Sequence, residues 1–249
     1  MYNIFTVLNE GYILFGKLFV SSIFDKIDLD NINQIIIGDT GLSQESRNYF
    51  NQFPKIRIID AGFQTEYNRI HDKDWKKNVY SKAKLLLRTI EEYNEFIPTI
   101  MIDADCIIIE DFLPLLEGEY DIAPCLRSQI GRTPGHQADS THIGSFFVAK
   151  TENSLPFLKE WIAEIPRIPP NPQGHPIPQE SPALSHTCAS YQKKILIRNI
   201  DERIASNIEF VTPLFAKILH LKSDWLYMTI DQRIRQPRCA YYVSRYLNL

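Results

Sequence analysis

Asp103 and Asp105 are the residues of this chain whose type and spacing best suit chemistry. They lie in IMIDADCIII (100–109), where an apolar run delivers two carboxylates separated by Ala104. Read as a strand, the segment puts both carboxylates on one face, because alternate strand residues point the same way. Paired carboxylates at the open end of a sheet suit a hard divalent cation, Mn²⁺ or Mg²⁺, which can bridge the oxygens of a diphosphate. Such a cation neutralises charge developing on a departing nucleoside diphosphate. Two acids in a turn are common on protein surfaces. The flanking apolar strand, and its place well inside an α/β pattern, favour the functional reading.

That pattern occupies the first half of the chain. Residues 2–8 are β-branched and aromatic, and 12–24 have helical period, with Leu14, Leu18 and 21–24 on the apolar side. A short buried strand at 34–37 ends in the turn Gly38-Asp39-Thr40-Gly41, after which Ser43 caps a polar helix containing Ser46. A third strand at 55–59, an amphipathic helix at 78–93 and a fourth strand at 98–102 follow. Short apolar strands separated by helices predict a parallel sheet covered on both faces, which binds ligands beyond the carboxyl ends of its strands. Residues 120–124 and 143–149 read as further strands and 152–164 as a helix. Residues 165–179 hold six prolines and one glycine in fifteen residues, too many for a helix or a central strand. A loop of this length reads as a functional loop or a linker, and the expectation here is a lid on the acceptor side, with a passive connector as the alternative.

Composition sets the class. With 249 residues, 44% of them hydrophobic, the chain is long enough for one α/β domain over 1–249. A formal charge of −3 and a pI near 6.1 give no positive field to recruit nucleic acid. Arg233, Arg235, Arg238 and Arg245 cluster near the C-terminus with only Asp231 nearby in sequence. They read as a solvated helix face, with weak contact to a membrane or an acidic partner as the alternative. Cys106, Cys125, Cys188 and Cys239 form no C-x-x-C pair, and Cys106 and Cys125 sit in apolar runs as buried hydrophobes. The expected setting is reducing and cytoplasmic. The opening MYNIFTVLNEGY has no basic region or cleavage site, and no apolar stretch approaches about 18 residues, so no transmembrane segment is expected.

LNEGYILFGKLFVSSI (8–23) resembles the opening of the glycogenin-like enzymes of glycosyltransferase family 8, where an asparagine and a tyrosine follow the first strand. VYSKAKLLLRTI (79–90) resembles the family's lysine-bearing helix before the D-x-D, and HIGSFFVAK (142–150) its strand after an asparagine-small-glycine turn, with His142 in place of the asparagine. ESPALSH (180–186) is similar to the acid-glutamine-x-x-leucine segment, with Glu180 for the aspartate, Ser181 for the glutamine and Leu184 matching. ILHLKSDW (218–225) resembles the C-terminal metal-histidine segment without its usual glycine and lysine. The resemblance runs in order over about 1–225, closely as far as the D-x-D and loosely beyond it. It implies a GT-A fold with a mostly parallel central sheet. Residues 1–110 would form a nucleotide-binding half and 111–249 an acceptor half.

The resemblance further implies a metal held by Asp103, Asp105 and His220, and nucleotide-sugar contacts from Val7, Asn9, Tyr12, Lys82, Asp103, Ala104, Gly144 and Lys222. Tyr12 would stack on uracil, Lys82 would lie near the phosphates, Lys222 would substitute for the missing lysine, and Glu180 and Ser181 would serve catalysis beside the donor sugar. The implied reaction moves a sugar, with retention, from a UDP-sugar to a hydroxyl on a carbohydrate, glycoconjugate or protein. Three alternatives stand beside it. A dehalogenase-type phosphatase also carries a D-x-D, but opens its fold with it and follows it with threonine or valine, where Cys106 and Ile107 stand here. A sugar-nucleotide pyrophosphorylase needs a glycine-rich loop near the N-terminus, and residues 8–12 hold only Gly11. A non-catalytic nucleotide-sugar-binding protein with a decayed transferase site draws its support from the altered 180–186 segment.

Overall fold

The structure is a computed structural model describing residues 1–65, 73–127, 141–169, 180–206, 215–221 and 237–247. Its strands are β1 (Tyr2–Leu8), β2 (Ile32–Asp39), β3 (Ile56–Asp60), β4 (Thr99–Ile102), β5 (Cys106–Ile108), β6 (Ile122–Leu126), β7 (His142–Ala149), β8 (Ile200–Asp201) and β9 (Ile218–His220). Its helices are α1 (Ile13–Lys26), α2 (Gln44–Phe50), α3 (Lys73–Glu91), α4 (Ser154–Glu164), α5 (Glu180–Tyr191), α6 (Glu202–Ala205) and α7 (Pro237–Leu247).

Seven strands form one sheet in the order β3-β2-β1-β4-β7-β6-β8. The expected parallel arrangement holds for β3, β2, β1 and β4. It fails at β7, which runs antiparallel to both β4 and β6, while β8 pairs parallel to β6. Every residue of β7 is buried. A continuous apolar run reports burial on both faces but not direction, so the reversal leaves no mark in the sequence. The sheet joins the two halves of the chain, since β1–β4 and β6–β8 share it.

Adjacent strand residues feed opposite cores, as the pleat requires. Ile4, Ile35, Ile100 and Phe146 pack on the side of α1 and α2, against Phe19, Val20, Ile23 and Phe50. Phe5, Ile36, Met101 and Phe147 face α3, α4 and α5, meeting Leu86, Phe157, Trp161 and Leu184. A two-stranded antiparallel sheet, β5 with β9, adds a third layer. There Ile107 and Leu219 pack with Phe15 and Leu18 of α1 and with Cys239 and Val243 of α7.

Several local expectations meet the structure directly. Ser43 caps α2, its hydroxyl accepting from the Ser46 amide. The four cysteines are free and buried. Residues 165–167 form a 3-10 turn continuing α4 despite Pro166, because proline tolerates the first turn of a helix. Residues 170–179 of the proposed lid lie outside the described residues, as do Arg233, Arg235 and Lys222. Segment 180–186 opens a helix, α5. Of the C-terminal arginines, Arg238 and Arg245 are described, in α7, which buries Cys239 and Val243, while Arg245 and Tyr246 both bind Asp25 of α1, at 3.0 and 2.8 Å. No described helix is long and apolar enough to cross a membrane.

Candidate active site

The site begins where β4 ends. Asp103-Ala104-Asp105 is a turn rather than strand, closed by the Cys106 amide donating to the Asp103 carbonyl at 3.1 Å. The carboxylates therefore do not converge by strand alternation. Aspartate favours turns, and the chain reverses here to enter β5. The turn is anchored from behind by the Asp103 amide, which donates to the Ser145 carbonyl of β7 at 2.9 Å.

β9 brings His220 to this turn. It pairs with β5 so that His220 lies opposite Cys106, and the Leu221 amide donates to the Asp105 carbonyl at 2.8 Å. His220 Nε2 stands 3.2 Å from Asp105 Oδ1 and 3.9 Å from Asp103 Oδ2. Its Nδ1 is hydrogen-bonded to Ser206 Oγ at 2.8 Å. Asp105, Cys106 and His220 each bring one ligand atom within 4.8 Å of the others. An imidazole nitrogen facing one oxygen of each of two carboxylates is a donor set that fits a divalent cation of the Mn²⁺ or Mg²⁺ class.

Beside this set lies a buried ion cluster. Lys82 of α3 donates to Asp103 Oδ1 at 2.6 Å and to the Gly144 carbonyl at 3.2 Å, and pairs with Glu180 Oε1 at 3.2 Å. Burial opposes the lysine's charge, but the carboxylates of Asp103 and Glu180 outweigh it and hold the ammonium pKa above its ordinary value. Asp103 is thereby divided: one oxygen engages Lys82, and the other faces His220. Glu180 is buried at the start of α5, where Ser181 Oγ accepts from the Gly144 amide at 3.3 Å.

Glycine is required at 144 by packing. A Cβ there would stand 2.1 Å from Glu180 Oε1 and 2.5 Å from its Cδ. Glu180 is 3% exposed and has little room to withdraw. Gly144→Ala is expected to displace that carboxylate from Lys82 and to cost about 1–3 kcal/mol, the usual range for overpacking. Urea unfolding of the two proteins measures the difference, and equal midpoints would show that Glu180 moves freely.

The other sequence-derived candidates take varied positions. Asn9 is buried, and its Nδ2 donates to Thr65 Oγ1 at 3.2 Å, tying the end of β1 to the segment after β3. Tyr12, half-buried at the start of α1, tilts against Phe15 with ring centroids 5.5 Å apart. Val7 is half-buried and packs on the side of α3, and Ala104 is buried inside the acidic turn. His142 hydrogen-bonds through Nε2 to Asn199 Oδ1 at 3.0 Å and through Nδ1 to Thr141 Oγ1 at 3.1 Å. Burial lowers its pKa against the raising effect of Asn199. Asp103, Asp105, His220, Lys82, Gly144, Glu180 and Ser181 thus come together, while Asn9 and Tyr12 lie at the end of β1. Thr65, Ser145 and Ser206 were not legible as site residues, because isolated hydroxyls carry no spacing signal.

Neither a protein family nor a curated protein matches this chain by sequence. Solved structures do match by shape. The galactosyltransferase LgtC, in complex with donor and acceptor sugar analogs, superposes over 88% of this chain and 86% of its own at a TM-score of 0.50 and 13% identity. An active-site mutant of LgtC gives the same figures. The apo bifunctional glycosyltransferase WbbM matches over 89% of this chain and 45% of its own, with a TM-score of 0.54 and 12% identity. The chain has the GT-A glycosyltransferase fold. In that frame the acidic turn follows the fourth strand at the carboxyl end of the parallel set, where open α/β sheets bind ligands.

Proposed function

We propose that the protein is a metal-dependent glycosyltransferase that moves a sugar, with retention, from a UDP-sugar to a hydroxyl of a carbohydrate, glycoconjugate or protein acceptor. The observation that carries this reading is the convergence of Asp103 Oδ2, Asp105 Oδ1 and His220 Nε2 beside a buried lysine on this fold. A Mn²⁺ or Mg²⁺ held by these three residues supplies Lewis-acid stabilisation of the departing diphosphate. Lys82 adds a fixed positive charge next to them, needing no reorganisation as charge develops. Tyr12 would offer an aromatic face for the base, and Val7 and Asn9, at the end of β1, would add further nucleotide contacts. Glu180 holds Lys82 in place and would face the donor sugar, and Ser181 fixes the backbone of Gly144, whose missing side chain leaves space for Glu180. Ala104 keeps the acidic turn compact.

The intact set of carboxylates, histidine and lysine weighs against a decayed binding protein. The phosphatase alternative loses support because the D-x-D follows the fourth strand instead of opening the fold. Four buried free thiols support a reducing, cytoplasmic setting. Isothermal titration with UDP tests the metal reading. Binding is expected in Mn²⁺ and should weaken by at least about a hundredfold in EDTA, the scale on which a principal electrostatic contact acts. Equal affinity under both conditions would refute it.

A further inference from the structure

The imidazole of His220 has two nitrogens, and only one can face Asp103 and Asp105. The other is held by a chain of buried hydroxyls. His220 Nδ1 lies 2.8 Å from Ser206 Oγ, and Ser206 Oγ lies 2.6 Å from Ser145 Oγ. His220, Ser206 and Ser145 are 5%, 0% and 4% exposed, so water offers these groups little competing partnership. Ser206 ends α6, its amide donating to the Glu202 carbonyl at 2.9 Å. Ser145 belongs to β7 and, through its carbonyl, also accepts from the Asp103 amide. One β7 residue therefore holds Asp103 directly, by its backbone, and supports His220 through Ser206, by its side chain.

Proton placement follows from this chain. For Nε2 to offer its lone pair to a cation, the ring proton must sit on Nδ1. Nδ1–H then donates to Ser206 Oγ, and the Ser206 proton turns toward Ser145 Oγ. With no cation present, Nε2–H can donate to Asp105 Oδ1 while Nδ1 accepts from the Ser206 hydroxyl. Rotation of one hydroxyl keeps the His220–Ser206 bond in either tautomer.

We infer that Ser206 and Ser145 are positioning residues for the metal-binding histidine, holding its ring and stabilising the Nδ1–H tautomer that leaves Nε2 open to a divalent cation. The inference rests on the metal reading above. Partners one step behind a ligand typically change metal affinity 10- to 100-fold when removed.

Mn²⁺ titration of the full chain, followed by the electron paramagnetic resonance signal of the free ion, reads the effect without requiring activity. Ser206→Ala is expected to bind Mn²⁺ about 10- to 100-fold more weakly than the wild type. Ser145→Ala is expected to show a smaller loss in the same direction, and provides the test if Ser206→Ala does not fold. Imidazole ¹⁵N spectra of the Mg²⁺-loaded wild type, with His220 assigned by His220→Gln, should show Nδ1 protonated and Nε2 unprotonated. Unchanged Mn²⁺ affinity in both serine variants, or a protonated Nε2 in the Mg²⁺-loaded wild type, overturns the relay while leaving the metal site standing. A wild-type chain that binds no Mn²⁺ overturns the metal reading and the relay with it.

Discussion

Asp105→Ala is expected to lower sugar transfer by at least about a thousandfold while leaving the chain folded. Asp105 contributes the carboxylate oxygen nearest to His220, at 3.2 Å, and sits in a turn rather than in the packed sheet. On the proposed function, losing it would remove a cation ligand and leave diphosphate charge poorly balanced as the bond to the sugar breaks. Removing a single electrostatic stabiliser from an active site costs about 10²–10³ in rate, and a lost ligand also weakens occupancy by the metal. The backbone bond between the Leu221 amide and the Asp105 carbonyl survives the substitution, so β5 and β9 stay joined. Steady-state transfer beside a thermal melt measures both effects. A folded variant keeping more than about a tenth of wild-type transfer would remove Asp105 from the machinery.

Lys82→Met acts on stability as well as on the site. Lys82 lies between the carboxylates of Asp103 and Glu180, at 2.6 and 3.2 Å, with Glu180 almost wholly buried. Breaking a buried ion pair by deleting one partner costs about 3–5 kcal/mol, because the remaining charge has no compensation. Adding Glu180→Gln should recover part of that loss. Because the lysine's pKa is raised by its carboxylate partners, the part of stability owed to its proton is fully present below the unfolded lysine's value of about 10.4. That part is lost only as pH rises through the folded value, so the deficit of Lys82→Met should not shrink between neutral pH and about pH 9. Chemical denaturation of the three proteins measures this. A loss below about 1 kcal/mol in Lys82→Met would mean that the cluster is solvated and weak.

The sequence carried the scaffold well where apolar composition alone decides structure. β1 matches its expected span, and β2 exceeds the expected 34–37 by two residues at each end, starting at Ile32 and running on into Gly38 and Asp39. Ser43 is legible because a capping serine acts on an amide three residues away. The D-x-D was legible as a pair, but its geometry was not: the carboxylates meet through a turn, and the third donor arrives on a strand that pairs with β5. α5 hid because it buries small and polar residues, Ala183, Ser185 and Thr187, alongside Leu184 and Cys188, and so shows little apolar period. The arginine cluster was legible as a solvated face, but the opposite face of α7 was not: Cys239 and Val243, four residues apart, dock it near α1. Direction in β7 and the hydroxyl chain behind His220 depend on neighbours distant in sequence, and no local pattern encodes them.

The most direct measurement incubates the purified chain with a panel of nucleotide sugars and Mn²⁺, with and without simple hydroxyl acceptors, and follows release of the nucleoside diphosphate. The account predicts release from at least one UDP-sugar, faster with an acceptor present, abolished by EDTA and restored by added Mn²⁺. Release that persists in EDTA, or a folded chain that neither binds nor turns over any member of the panel, would contradict it.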